Sequence, residues 1–418
     1  MSLLLTRNQD VTWSHRVAAF LWLLLGNRYR SLKIGKTKAQ LKKATILYRQ
    51  KLDGLDSALG SMSYEALTLN NFLGEKHWKY ASYMATISSL PVLDRVCNGD
   101  GITSAIVGKT SLGTSAKLLD NLNDEIQTIE RAIQSLHTYE RVMTEKEFNI
   151  EEGAPHYSRL SLAENSAFQI ARWTAEVVMD VVDENSRTFG LYTSDVKRLV
   201  RGQIESLLHK SGRRVLPKIG EYLKAISEKS IGDVWVDVDL CLLESSLGGI
   251  DQDLYHALQL FRVGNGFVFK SSLVYDDAQD LMEDLQTNSV NSCVILGLER
   301  GVISEKDLAE NSPEFIAKRL DQGKIVKETI SLADFLFLTG IKLIQAASSK
   351  ETELVDWSGL LLSYRFVRLF NLRKLLMRRK DYETTRMFMS SLKKFEDLQE
   401  DIPDHIYALQ PHPAYDDA

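Results

Sequence analysis

The sequence predicts an all-α protein, and three observations carry that reading. Only 7 Pro and 24 Gly punctuate 418 residues, so long uninterrupted elements are expected. Between Leu112 and Leu136 the apolar residues Leu112, Leu119, Leu122, Ile126, Ile129 and Ile133 recur mostly every three or four positions, the period of a helix face. In Ser272-Leu-Val-Tyr-Asp276-Asp277-Ala-Gln-Asp280-Leu-Met-Glu283-Asp284, three aspartates fall at i, i+4 and i+8. At about 100° per residue, Asp276, Asp280 and Asp284 form a nearly straight carboxylate ridge on one helix face.

Taken in order, the chain opens on Val17–Leu25, an apolar run too short to span a bilayer. No small-residue cleavage site comes after it, so a secretory signal is not expected. Next stand Arg28, Arg30, Lys33, Lys36, Lys38, Lys42 and Lys43 with no acid among them. An apolar run before a basic one suits peripheral contact with an anionic membrane surface. A packed first helix leading into a solvated basic helix is the simpler account.

Ser63–Leu90 is irregular in its apolar positions but aromatic-rich and is expected to end at Pro91, with a loop around Cys97–Gly101. Gly108-Lys109-Thr110-Ser111 has the ending of a phosphate-binding loop, but Thr103 stands where that motif needs Gly and no strand precedes it, so the motif is rejected. The periodic stretch Leu112–Leu136 reads as one long amphipathic helix carrying Asp120 and Asp124, again one turn apart. Glu151–Arg159 reads as a surface loop, then Leu160–Val182 and Thr193–Lys210 as helices. Gly212 and Pro217 break the pattern before a helix that holds Tyr222, Lys229 and Ser230.

Val234–Leu243 alternates apolar and acidic residues as a strand would, yet it is assigned helical because helical patterns flank it. Val290–Gly301, Glu314–Gln322, Ile330–Ala347 and Trp357–Arg379 read as further helices. The tail from Pro403 is acidic and expected to fray. With no sheet, repeat or linker in view, residues 1–60 form an N-terminal apolar and basic helical extension. Residues 61–400 form one large helical domain, and 401–418 an acidic tail.

A net charge of −5 gives no reason to expect nucleic acid as a partner. Cys97, Cys241 and Cys293 are far apart and match no metal spacing, so they read as reduced core thiols of a cytoplasmic protein. None of the eight histidines forms a metal or triad pattern.

The carboxylate ridge therefore carries the chemistry. Like charges one turn apart repel by roughly 0.2–0.5 kcal/mol per exposed pair, so the ridge asks for solvation or for cations. An exposed acidic stripe is the plain reading. Against it, the helix that carries the ridge is apolar just upstream, at Phe267, Phe269, Leu273, Val274 and Tyr275. Carboxylates at this spacing suit Mg²⁺, a hard ion that takes a few protein oxygens, keeps waters and completes its octahedron with substrate phosphate.

The Asp120/Asp124 pair lies about 150 residues earlier. Facing one another through the tertiary fold, two such ridges would hold metal ions around a diphosphate. Breaking an allylic C–O bond leaves a diphosphate anion and a carbocation, so the catalyst must neutralise the leaving group and keep water from the cation.

Four motifs in the same order resemble those of the trans-prenyltransferases, the polyprenyl diphosphate synthases of the class I isoprenoid synthase superfamily. Leu118-Leu-Asp120-Asn121-Leu-Asn-Asp124 stands where that family's first aspartate-rich motif would, and Asp276-Asp277-Ala-Gln-Asp280 looks like its second. Val200-Arg201-Gly202-Gln203 is similar to its Gly-Gln helix, and Tyr222 followed by Lys229-Ser230 to its Tyr…Lys-Thr helix. The resemblance covers roughly Leu112 to Gly301. It implies the isoprenoid synthase helical bundle around a central cavity, Mg²⁺ as cofactor, an allylic prenyl diphosphate as substrate with isopentenyl diphosphate as co-substrate, and a homodimer.

It assigns metal ligation to Asp120, Asp124, Asp276 and Asp280, with Asp277 and Asp284 next, and diphosphate contact to Lys229. Gln203 would contact substrate or stabilise the cation. Lys270 is a second diphosphate candidate, a salt bridge being the simpler account, and Phe261 and Phe269 are candidates for the cavity wall, core packing being the simpler one.

Departures from the family pattern are informative. Asn121 stands where chain-elongating members have a second Asp, and no Arg-Arg pair follows the first motif; Arg131 is alone. A first motif reduced to Asp-x-x-x-Asp is similar to that of some terpene synthases, as is the series Asp276, Asp280, Asp284. Two alternatives therefore stand beside prenyl transfer: a terpene synthase that releases diphosphate to give a hydrocarbon or alcohol, and a non-catalytic partner subunit of a heteromeric synthase.

Overall fold

The computed structural model describes residues 25–55, 60–123, 125–126, 128–148, 158–379, 382–391, 395–399 and 402–407. Among these residues the regular structure is helical, with no strand. The Val17–Leu25 run lies outside the described residues except for Leu25, as does the tail beyond Tyr407.

Two compact units divide the chain. The first comprises residues 1–200, 233–262 and 345–367; the second comprises 201–232, 263–344 and 368–418.

The first unit contains α1 (Ile34–Asp53), α2 (Tyr64–Leu69), α3 (Glu75–Leu93), α4 (Gly99–Asn123), α5 (Ile129–Thr144) and α6 (Arg159–Met179). Helix α4 packs against α1, α3 and α6, and α5 packs on α6. Tyr48 of α1 anchors this core, its ring 5.8 Å from that of Trp78 and edge-on to Trp173 at 6.0 Å. Tyr64 completes the cluster by accepting the Trp78 indole N–H at 2.9 Å.

Three expectations are corrected here. Helix α3 runs past Pro91 to Leu93, and the Ile87 carbonyl, which the proline leaves without its helical donor, accepts the Ser363 hydroxyl at 2.6 Å. Gly99–Gly101 belong to α4 rather than to a loop, since Asn98 Oδ1 accepts Gly101 N–H at 2.8 Å and Asp100 N–H at 3.1 Å and so starts the helix early. The single helix expected over Leu112–Leu136 is two, α4 and α5. The Asn/Asp-rich segment at the break is rich in side chains that compete for backbone hydrogen bonds, and Asn121 spends its amide on the Phe72 carbonyl at 2.8 Å.

Helix α7 (Arg187–Lys210) precedes α8 (Ile219–Lys224), which passes into a 3₁₀ turn at Ile226–Lys229. Tyr222 and Lys229 therefore sit on two short elements and not on one helix, and Ser230 is extended. Helix α9 (Gly232–Leu247) confirms the helical reading of the alternating run: its acids Asp237 and Asp239 are buried. Helix α10 (Gln252–Thr287) carries the carboxylate ridge. Gly232 is needed at the foot of α9, where a Cβ would come within 2.7 Å of Phe269 Cγ on α10.

Beyond α10 come α11 (Ser292–Glu299), α12 (Glu305–Glu310), α13 (Pro313–Gln322), α14 (Ile325–Lys350) and α15 (Trp357–Arg379). Short helices α16 (Tyr382–Ser390), α17 (Phe395–Gln399) and α18 (Asp404–Tyr407) complete the order. Helix α12 was not expected from the sequence, although Ser304 and Asp307 form its capping box, at 3.1 Å and 2.9 Å. Among the described helices, α14 alone has the length and apolar content to cross a membrane, and 61% of its apolar window is buried within the protein, as in a core helix.

Candidate functional site

Asp276, Asp277, Asp280 and Asp284 lie on the part of α10 in the second unit, at graded depth. Asp276 is exposed, Asp280 and Asp284 are half-buried, and Asp277 is buried. One residue off the ridge, Asp277 is turned about 100° from Asp276 and meets α8 and α11 instead. Its Oδ2 accepts the Tyr222 hydroxyl at 2.7 Å and the Ser292 backbone N–H at 2.9 Å. Burial pushes its acid upward, and the nearby Lys229 charge opposes that. Asp277 thus ties α10 to the Tyr222 helix and to the start of α11, and Asp284, seven residues on, lies within about 20° of it around the helix.

Asp284 is held from the same corner. Asn291, fully buried at the N-cap of α11, donates its amide to Asp284 Oδ2 at 2.7 Å and to the Asp277 carbonyl at 2.8 Å. Burial drives the Asp284 acid up to about 7; the Asn291 bond and Lys229 pull it down, while Asp277 and Asp280 push it further up.

Lys229 comes to this corner through backbone packing. Gly202 on α7 lies so close to the 3₁₀ turn that a Cβ would sit 2.6 Å from the Glu228 carbonyl carbon, and the neighbouring Arg201 pairs with Glu228 at 2.9 Å. Only glycine permits that approach. The second unit therefore gathers Gly202, the half-buried Gln203 beside it, the Lys229 turn, Tyr222 and the α10 acids, which are spread along the sequence from position 202 to position 284.

The remaining named residues fall elsewhere. Lys270, on α10, places its ammonium 6.0 Å from the Phe267 ring centre. Asp120 is exposed near the end of α4 in the first unit and pairs with Lys117 at 2.9 Å; Asp124 lies outside the described residues. Phe261 packs edge-on to Trp357 at 5.6 Å in the first unit, and Phe269 packs on Gly232 in the second.

Sequence reasoning missed a buried network that begins on α10 beside the ridge. Tyr275 donates to Asp334, and Arg368, 1% exposed, bonds Asp334 at 2.6 Å, Tyr275 at 3.1 Å and Ser391 at 2.8 Å. One turn further along α10, the Gln279 amide donates to the Tyr275 carbonyl at 2.9 Å. An arginine set among Phe366, Val367, Leu369 and Phe370 was the visible sign of this network, since a cation on an apolar helix face needs a buried partner.

The donor chemistry of the α10 ridge, hard carboxylate oxygens on one face, fits Mg²⁺. Among the described residues no three His, Cys, Asp or Glu groups close into a metal cage.

No family model matches the chain, and no curated protein does. Two solved structures are similar in helical architecture. One is an SVS_A2 protein mutant from ancestral sequence reconstruction, 14% identical over 80% of this chain and 84% of that one, with a TM-score of 0.45. The other is 2-methylisoborneol synthase from Streptomyces coelicolor A3(2), 12% identical over 68% of this chain and 90% of that one, with a TM-score of 0.38. Likenesses this loose assign neither residue nor reaction to this chain.

Proposed function

We propose that the protein is a Mg²⁺-dependent class I isoprenoid synthase that ionises an allylic prenyl diphosphate and transfers the prenyl group in the manner of polyprenyl diphosphate synthases. The observation that carries this reading is the corner of the second unit where the Lys229 turn, Gly202-Gln203 and the α10 acids come together. Three of the four motifs that carry the family resemblance meet there.

Asp276, Asp280 and Asp284 would hold Mg²⁺, which when bound neutralises the departing diphosphate. Lys229 supplies a fixed positive charge to the same leaving group. The allylic C–O bond breaks, its electron pair leaves with the diphosphate oxygen, and the carbocation remains to be captured by the double bond of isopentenyl diphosphate, which then loses a proton. Gln203 would contact the substrate or stabilise the cation, as the family resemblance implies.

A terpene synthase reading is favoured by the Asp-x-x-x-Asp first motif and by the lack of an Arg-Arg pair after it. Product analysis separates the two. Purified protein is incubated with Mg²⁺ and allylic diphosphates of increasing length, with and without isopentenyl diphosphate. Longer diphosphates formed only with isopentenyl diphosphate are the expected result. Hydrocarbon or alcohol with free diphosphate in its absence establishes the terpene synthase, and no turnover of any substrate favours the partner-subunit reading.

A further inference from the structure

We propose that Asn291 is a positioning residue that sets Asp284 for cation binding, an inference that rests on the reading of α10 as a metal-binding ridge. The orientation of its amide is fixed: Oδ1 accepts Cys293 N–H at 2.8 Å, so the nitrogen must face α10. Both amide protons are then used, one on Asp284 Oδ2 and one on the Asp277 carbonyl. One neutral side chain therefore caps α11, grips the α10 backbone and holds one oxygen of Asp284.

A lysine or arginine in this place would neutralise the carboxylate, and an aspartate would repel it. Tyr222 and Ser292 N–H hold the Asp277 side chain while Asn291 holds its carbonyl, so α10 is fixed at Asp277, two turns before Asp284. Partners of this kind, bonded to a ligand rather than to the ion, change metal affinity by about 10–100-fold when removed.

Asn291→Ser separates capping from positioning. Serine is a good N-cap and retains the bond to Cys293 N–H, but its hydroxyl is too short to reach Asp284. Mg²⁺ is titrated calorimetrically into wild type and variant with inorganic diphosphate present, and thermal unfolding is followed without metal.

The expected result is a Mg²⁺ Kd about 10-fold or more weaker in Asn291→Ser, measured below its melting temperature, which falls because the two buried bonds to Asp277 and Asp284 are lost. An unchanged Kd in a folded variant overturns the proposal while leaving the proposed function intact. Absence of Mg²⁺ and diphosphate binding by the wild type overturns both. Should Asn291→Ser fail to fold, Asp284→Asn, which keeps the side chain's size, tests the same link: wild-type Mg²⁺ affinity in that variant overturns the proposal.

Discussion

Acidic residues one turn apart occur on α9 in the first unit and on α10 in the second, and their surroundings differ. On α9, Asp237 is fully buried, 3.3 Å from the Arg262 guanidinium; Arg262 also bonds Asp195 at 2.7 Å. Arg198 reaches Asp195 at 2.9 Å and Asp233 at 3.4 Å. Two helix positions further, Asp239 is ion-paired with buried Lys109.

On α10 the hydrogen bonds that hold Asp277 and Asp284 come from neutral donors: a tyrosine hydroxyl, an asparagine amide and a backbone N–H. The first arrangement spends its carboxylates on internal cations, so their charge serves folding. The second holds its carboxyl groups by neutral hydrogen-bond donors, with Lys229 as a nearby charge. Helical spacing is common to both helices, and what separates them is the charge of the partner.

Removing the cation on the α9 side should have the largest effect on stability. Arg262→Met takes from buried Asp195 one of its two guanidinium partners and from Asp237 the cation beside it, and is expected to cost about 3–5 kcal/mol in denaturant unfolding. A loss below about 1 kcal/mol would mean that the α9 acids do not depend on internal pairing.

A smaller loss is expected on the α10 side, where partners are neutral. Tyr222→Phe removes one of the two donors to Asp277 Oδ2 and should cost about 1–3 kcal/mol by the same measurement. A cost equal to that of Arg262→Met would remove the contrast.

The finest distinction is in pH dependence. Around Asp237 stand Asp195 and Asp233 with Arg198 and Arg262, three carboxyl groups against two guanidiniums. Burial first, and then the Asp195 charge, hold the Asp237 acid well above its ordinary value of 3.8, with Arg262 opposing. The folded chain therefore keeps a proton that the unfolded chain releases above that value. This contribution is fully present below pH 3.8 and is lost progressively as pH rises toward the raised folded value, with a slope of at most about 1.4 kcal/mol per pH unit. Asp237→Asn should flatten the decline of stability with rising pH; an unchanged slope in urea melts across that range would show that Asp237 is not the proton's holder.

Much of this is legible in the sequence. The all-α architecture, the extent of Trp357–Arg379 and the continuous helix under Asp276–Asp284 can be read from apolar period and few breakers. Helix ends depart from expectation where a cap or a tertiary bond decides them, as at Asn98 and Pro91. Of the candidate site, the α10 acids and Lys229 can be proposed from their motifs. Gly202 can be quoted only without its reason, since the backbone approach between Gly202 and Glu228 leaves no mark in spacing. Asp233 and Asp237 share the one-turn spacing of the ridge, and nothing in that spacing tells the two pairs apart. Their partners Asp195, Arg198 and Arg262 come from other helices, and only the fold brings them together. Asn291 is invisible for the same reason: an isolated asparagine at a helix start reads as a cap, and its bonds to Asp284 and Asp277 are tertiary.

In the proposed function the α10 ridge holds the cation that releases diphosphate. The most direct test is to measure diphosphate release from an allylic diphosphate, with and without Mg²⁺, for the wild type and for Asp280→Asn. Mg²⁺-dependent release by the wild type is expected, with a loss of about 100-fold or more in Asp280→Asn and the same unfolding curve for both. Release by a folded Asp280→Asn protein at the wild-type rate would contradict that role for the ridge.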